Sequence, residues 1–433
     1  MRTRQALIVG CMPLSLVAFV VASSPLGCAS DDAVDAPRET PDSGMTNQQD
    51  ADSTPQDSGI AEDATAETGP LEDGGPPCND AGWCRYPLPG SPAPNLKAVY
   101  SISPTRAVAT GETCVIQGNQ YLCTTSLLLW DGTAWTTAAR GLERLTGIWG
   151  SDADHFWIVN ELRRTLYRVT FAGNAPSFVA EPLPEDLSTC GDARIALSGH
   201  GEDVWVAAYC YNSDQTTRGM LYRRSVAAGQ ATWSTVWSAG ATSELQAALG
   251  GLMVTPSGDV WATGWKIHAA MGTWGARYLI PGTMNTFVLH LANGSDTPEE
   301  RELDPSLATC AQSIWTSGDG KLLVGGVCDG GYKDYTNYPT LARFDGTSWT
   351  ALYETPMGQW GAIGSSFPLL WGFADNEVYA VGSWATAWNG TALQPVNLAI
   401  HGAPVANRVA GVHGSSSKDV WMVGQGFAMH RAQ

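Results

Sequence analysis

Cysteine has the widest chemical scope of any residue type in this chain of 433 residues, which carries ten of them. Cys11 lies in an apolar leader and Cys28 follows Pro25-Leu26-Gly27. The other eight fall into four local pairs: Cys78 with Cys84, Cys114 with Cys123, Cys190 with Cys210, and Cys310 with Cys328. Clustered thiols either hold a metal or close disulfides. A thiolate zinc site is typically built on C-x-x-C spacing, which is absent here, so neither a metal nor another cofactor is expected. An even count in an exported chain reads as disulfides.

Acid–base chemistry finds less support. The seven histidines, His155, His200, His268, His290, His401, His413 and His430, are scattered, with no pair at metal-ligand spacing on one element. They read as strand or turn residues. Asp152-Ala153-Asp154 resembles part of a calcium loop but lacks the further carboxylate that such a loop needs.

The elements that must position these residues repeat. A strand of the form Val-Trp-x-Val-Gly recurs seven times, with its second residue at Val108, Trp157, Trp205, Trp261, Leu323, Tyr379 and Trp421. The spacings are 49, 48, 56, 62, 56 and 42 residues. A second motif follows in some repeats: Leu129-Trp130-Asp131-Gly132-Thr133-Ala134-Trp135, Arg343-Phe344-Asp345-Gly346-Thr347-Ser348-Trp349, and a weaker copy at Trp388-Asn389-Gly390-Thr391. Asp-Gly and Asn-Gly between apolar strands mark hairpins, because these residues tolerate positive φ. Each repeat then has four strands, which is one propeller blade. The strands are apolar at nearly consecutive positions, as expected where both faces of a blade are covered by its neighbours. The expected fold is all-β, a single propeller of seven four-stranded blades behind an N-terminal disordered tether. The last repeat stops after three strands, whereas Trp83 to Leu88 reads as a lone outer strand, so pairing the two closes the ring. A solenoid of similar repeats is the alternative.

These repeats resemble kelch-like propellers and bacterial surface lipoproteins with Val-Trp and Asp-Gly-Thr-Ser-Trp repeats, and the Asp-Gly turn is similar to a shortened Asp-box. The resemblance covers most of residues 83 to 433. It departs from kelch repeats in lacking their regular Gly-Gly pair, which ends the repeated strand only at Gly325-Gly326. It implies a binding platform and no particular ligand. Sialidase-type propellers share Asp-boxes but need clustered arginines, and the relevant rim offers only Arg163, Arg164, Arg218 and Arg277. Copper chemistry of the galactose-oxidase type needs a free Cys beside Tyr, and every Cys here has a partner.

In a blade, the loops leaving the second strand and entering the first share one rim. The pairs Cys114/Cys123, Cys190/Cys210 and Cys310/Cys328 map there, together with the longest insertions. The opposite rim carries tight acidic turns. On the stapled rim stand aromatics outside the repeat positions: Tyr211, Trp265, Trp274, Tyr332, Tyr335, Tyr338, Trp360 and Trp384. Such rings stack on sugars or bury area against proteins at low entropic cost. Trp130, Trp135, Trp157, Trp205, Trp261, Trp349 and Trp421 recur at blade positions and are expected in the core. The leading expectation is therefore a non-catalytic, monomeric binding scaffold for a glycan or protein. The alternative is a polysaccharide hydrolase or lyase on the same scaffold.

Placement follows from the first 76 residues. Arg2 and Arg4 precede an apolar run, and Pro25-Leu26-Gly27-Cys28 resembles a lipobox with lipidation at Cys28, so residues 1–28 read as a signal sequence. Ordinary cleavage nearby, or retention as an anchor, stays open because Pro25 stands where Leu is usual. Residues 29–76 hold 13 acidic residues, one basic residue and no aromatic, which describes a disordered linker. Residues 77–433 form the propeller. The expected location is the outer membrane or cell surface, alternatively the periplasm or the exterior, with membrane contact through the lipid alone. With no basic stripe, nucleic-acid binding is excluded.

Overall fold

The Asp-Gly turns show how the sequence makes its hairpins. In a computed structural model of the chain, the Asp131 carboxylate accepts the N–H groups of Thr133 and Ala134, both at 2.9 Å, and the Thr133 hydroxyl at 2.7 Å. Asp345 and Asn389 make the same set with the two residues beyond their glycines. Gly132, Gly346 and Gly390 take φ of +97°, +102° and +91°, a conformation that favours glycine. The structure describes residues 75–432 apart from 118–119, 212–215, 240–244, 272–276, 304–310, 327–338, 355–368, 383 and 404–407; of 121, 192, 267–284, 339–340 and 354 only the backbone is described.

Seven antiparallel four-stranded sheets result, each running from an inner to an outer strand. Blade 1 comprises Asn95–Ser103, Arg106–Gln117, Gln120–Trp130 and Trp135–Leu142; blade 2 comprises Leu145–Gly150, His155–Asn160, Thr165–Ala172 and Ala175–Pro182. Blade 3 is built from Asp192–His200, Asp203–Tyr211, Thr217–Ala227 and Gln230–Ser238, and blade 4 from Leu245–Val254, Val260–Met271, Arg277–Leu291 and Glu299–Glu302. Blade 5 holds Ala311–Thr316, Leu322–Gly326, Pro339–Phe344 and Trp349–Glu354, and blade 6 holds Leu369–Ala374, Glu377–Val381, Ala385–Trp388 and Leu393–Pro395. Blade 7 takes Val409–Ser416, Asp419–Gly424 and Phe427–Ala432 from the C-terminus and Trp83–Tyr86 from the start of the fold. Trp83 pairs with Arg431 and Tyr86 with Ala428, so the ring closes through the segment that the missing strand implied. Each inner strand contacts the inner strands of both neighbouring blades, blade 7 meeting blade 1.

The core is divided among seven seams between consecutive blades. This explains the consecutive apolar residues: every residue of Asp419–Gly424 and of Leu322–Gly326 is buried, because one seam lies on each face. Six of the seven repeat tryptophans are buried as expected, among them Trp130 at 1% exposure and Trp421 at 0%. Trp349 is the exception. It opens the outer strand of blade 5 and is only half-buried, packed on one side against the seam with blade 4. At the closing seam, Trp421 lies 5.0 Å from Trp130 and 4.9 Å from Trp135, ring to ring, and Tyr86 packs 4.7 Å from Trp130.

The glycine that ends the Val-Trp strand has a steric reason. Inner strands carry a bulge opposite it, with register shifts between Leu249 and Gly251 in blade 4 and between Val409 and Gly411 in blade 7. A Cβ at Gly264 would lie 1.8 Å from the Ala248 carbonyl oxygen, and one at Gly424 2.3 Å from that of Arg408.

Candidate functional site: the disulfide-stapled rim

The two rims differ in what their polar groups do. On the tight-turn rim, carboxylates are consumed by their own turns. Asp152 accepts the N–H groups of Asp154 and His155 and bonds the His155 imidazole at 2.7 Å, which accounts for the Asp152-Ala153-Asp154 pattern without an ion. Asp259 accepts the Asn293 N–H and the Ser257 hydroxyl, and these bonds hold its carboxyl below the usual range.

On the opposite rim, Cys114 and Cys123 face each other in register and are bridged, with Cα atoms 4.0 Å apart. Beyond Glu112 on one side and Thr125 on the other, the hairpin has no inner or outer partner strand, so residues 113–124 project as a two-stranded arm. A lone hairpin is marginal in water, and the cross-link holds this one. Its side chains are apolar and open: Val115 is 48% exposed, Ile116 68% and Leu122 45%. Glu112 lies near both sulfurs, but these are joined to each other and Glu112 pairs with Lys97 at 3.4 Å, so the trio is not a metal site. In blade 3, the Cys190–Cys210 bridge ties the entry of the inner strand to the end of the second, and the Gly191 N–H donates to the Tyr211 carbonyl at 3.1 Å. The bridge Cys78–Cys84 fastens the start of the outer strand of blade 7.

Eight large apolar side chains of the described residues stand exposed: Val115, Ile116, Leu122, Leu162, Val179, Tyr211, Val226 and Trp384. All but Val179 and Val226 lie on the stapled rim, so the exposed apolar surface is one-sided. Isolated exposed apolar residues are ordinary; what distinguishes these is that six of the eight share one rim.

Of the aromatics singled out from sequence, Tyr211 and Trp384 stand on this rim. Trp265 does not belong to a loop. It lies within the second strand of blade 4, paired with Ala248 and Thr286 and half-buried, because strand pairing continues out to Met271 and Arg277 where an insertion was expected. Trp274, Tyr332, Tyr335, Tyr338 and Trp360 lie outside the described residues, as do Cys28, Cys310 and Cys328.

A polar column inside the ring has no counterpart in the motifs. The inner-strand residues opposite the second residue of each repeat are Tyr100, Trp149, Ser198, Met253, Trp315, Trp371 and His413. Several reach the backbone of the next blade. Ser198 Oγ accepts from the Val254 N–H at 3.1 Å, Met253 Sδ from Thr316 at 3.4 Å and His413 Nδ1 from Ser101 at 3.0 Å. Tyr100 and Trp371 donate instead, to the carbonyls of Gly150 and Gly414. At the closing seam Asp419, fully buried, binds His430 Nε2 at 2.6 Å, the Ser101 hydroxyl at 2.7 Å and the Ser415 hydroxyl at 2.5 Å. Burial pushes the Asp419 carboxyl up, but these donors outweigh it and leave it below the usual range. Burial takes His413 down to about 3, and its ring is sandwiched between Trp371 and Tyr100. Burial likewise pushes the Tyr100 phenol up to about 12. No sequence motif marks this column, because its members share a place in the register and not a residue type.

Fold and rim together define a seven-bladed β-propeller with one decorated face. No protein-family model and no curated protein matches the chain. Among solved structures it is similar to YCF48 bound to D1 peptide, at 17% identity and a TM-score of 0.50, over 83% of this chain and 99% of that one. U3-55K matches at 9% identity and a TM-score of 0.49, over 83% and 100%. Sqt1 from Chaetomium thermophilum matches at 9% identity and a TM-score of 0.45, over 78% and 97%. At these identities the likeness is one of fold.

Proposed function

We propose that this protein is an exported, surface-tethered propeller whose stapled rim is a non-catalytic docking platform for a protein partner. The observation that carries the reading is the one-sided distribution of exposed apolar side chains, on an arm and loops cross-linked before any partner arrives. Pre-ordering a loop reduces the entropy lost on binding. A propeller of the same fold, YCF48, has been solved with a peptide bound. Three disulfides among the described residues fit an oxidising compartment. No helix among those residues is long and apolar enough to cross a membrane. The Pro25-Leu26-Gly27-Cys28 junction supports a lipid at Cys28, with residues 29–76 as the tether.

The test places a photocrosslinking amino acid at Ile116 or Trp384, and at Thr347 or Asn293 on the tight-turn rim, in the full exported chain. The first two positions should give the same protein adduct and the second two none. Equal labelling from both rims would remove the proposal. An adduct made of carbohydrate alone would replace the protein partner by a glycan.

A further inference from the structure

Beside Leu162 on the stapled rim, the turn between the second and third strands of blade 2 meets the chain entering blade 3. The two enclose a cleft of about 150 Å³ walled by Arg144, Glu161, Leu162, Arg164, Ser188 and the Cys190-Gly191 pair. That volume is room for about five waters, or for one small charged group.

The turn is held rigidly. Asn160, fully buried, donates to the Glu143 carbonyl at 2.6 Å and accepts the Arg163 N–H at 2.9 Å, and the Leu183 N–H donates to the Arg164 carbonyl at 3.1 Å. Arg144 and Arg164 take φ of +25° and +51°, where arginine is uncommon, so the fold holds the backbone at both positions in a conformation with a local cost. The Cys190–Cys210 bridge anchors the far wall.

The charges inside do not balance. Glu161 is 6% exposed and accepts the Ile195 N–H at 3.3 Å. Burial, partly offset by that bond and by the charges of Arg194 and Arg144, leaves its carboxyl above the usual range. Arg144 and Arg164 share the cleft walls with it, while Arg194 is exposed and acts on it only through its charge. Neither Arg144 nor Arg164 lies within 4 Å of a carboxylate among the described residues, and the buried Nε–H of Arg164 has no acceptor there. The neighbouring Arg163 is already taken by Glu143. Among the described side chains that wall the cleft, two cations face one anion, and an unpaired buried donor is costly.

We infer that this cleft is a carboxylate-binding subsite, in which the Arg144 and Arg164 guanidiniums take an acidic group of a peptide whose apolar neighbour rests on Leu162. The inference rests on the stapled rim being the docking face, and it names the chemistry read at one end of that face. Planar guanidiniums suit a carboxylate because two N–H groups match its two oxygens.

The experiment is an NMR titration of the disulfide-intact protein, following arginine Nε–Hε signals, with three peptides. Acetyl-Leu-Glu-Leu-amide offers a side-chain carboxylate, acetyl-Leu-Gln-Leu offers only a C-terminal one, and acetyl-Leu-Gln-Leu-amide offers neither. One or both charged peptides should give saturable shifts of the Arg164 signal, and which of them does so identifies the source of the carboxylate. The neutral peptide should give none. Arg164→Gln should weaken the charged peptide at least tenfold, whereas Glu161→Gln, which removes a like charge and leaves the cleft walls in place, should tighten it several-fold. Equal binding of the neutral peptide, no shift with either charged one, or weaker binding in Glu161→Gln would each overturn the assignment. Loss of rim crosslinking with these shifts retained would sink the docking reading and leave the cleft standing.

Discussion

His413 carries a proton balance as well as a stacking contact. Its Nδ1 accepts from Ser101, so the ring is held neutral inside the fold down to about pH 3, whereas in the unfolded chain it protonates near 6.5. The unfolded state therefore takes up the proton first. The stability this group contributes is fully present above about pH 6.5 and is lost as pH falls from there toward 3. Urea melts at pH 7.5, 6 and 4.5 should show a decline that is shallower in His413→Phe, which keeps the ring stack between Trp371 and Tyr100. At pH 7.5 that variant should be less stable by about 1–3 kcal/mol, because the Ser101 N–H is left unpaired. Parallel pH profiles in the two proteins would contradict the assignment. Asp419→Ala should cost more, about 3–5 kcal/mol, since it leaves buried His430, Ser101 and Ser415 without their shared acceptor. None of this was legible in the sequence: Ser101 and Asp419 lie 318 residues apart, and only the closed ring brings them together.

Among the strands, the repeat glycine and the closing strand make separate demands. Gly264→Ala should destabilise the domain by at least about 2 kcal/mol, because a Cβ 1.8 Å from the Ala248 oxygen cannot be accommodated without moving the inner-strand bulge. An unchanged thermal midpoint would show that the bulge gives way easily. Removing residues 77–90 should lower that midpoint sharply, since it strips Trp83–Tyr86 from blade 7 and bares the edge of Phe427–Ala432. Removing 29–74 should leave it unchanged. Equal midpoints for both truncations would contradict closure through this strand. Here the sequence was informative, because hairpin turns and strand periods are local: the Asp-Gly turns, the seven Val-Trp strands and the unmatched Trp83 segment all took their expected places. Trp265 falls in a strand instead of a loop, and Trp349 is half-buried instead of fully buried, because neither continued pairing beyond a repeat nor one-sided cover at an outer strand is visible in residue type.

For the whole molecule, a ring of seven seams needs no disulfide to define its core, yet two of the three observed bridges lie on one rim, beside the exposed side chains. Their contribution is expected in loop geometry. Reduction should therefore weaken partner binding by a larger factor than it changes the midpoint of global unfolding, and equal changes in both would show simple reinforcement. Labelled palmitate should enter the wild type and not Cys28→Ser, and equal labelling would remove the anchor. The central claim is that the stapled rim is the binding face, and affinity for the crosslinked partner tests it most directly. Ile116→Ser with Leu122→Ser and Trp384→Ala should weaken that affinity by about 30-fold or more, roughly 2 kcal/mol, as truncated apolar anchors do. Val179→Ser with Val226→Ser, at exposed apolar positions off this rim, should leave it unchanged. Full affinity in the first variant, or an equal loss in the second, would contradict the account.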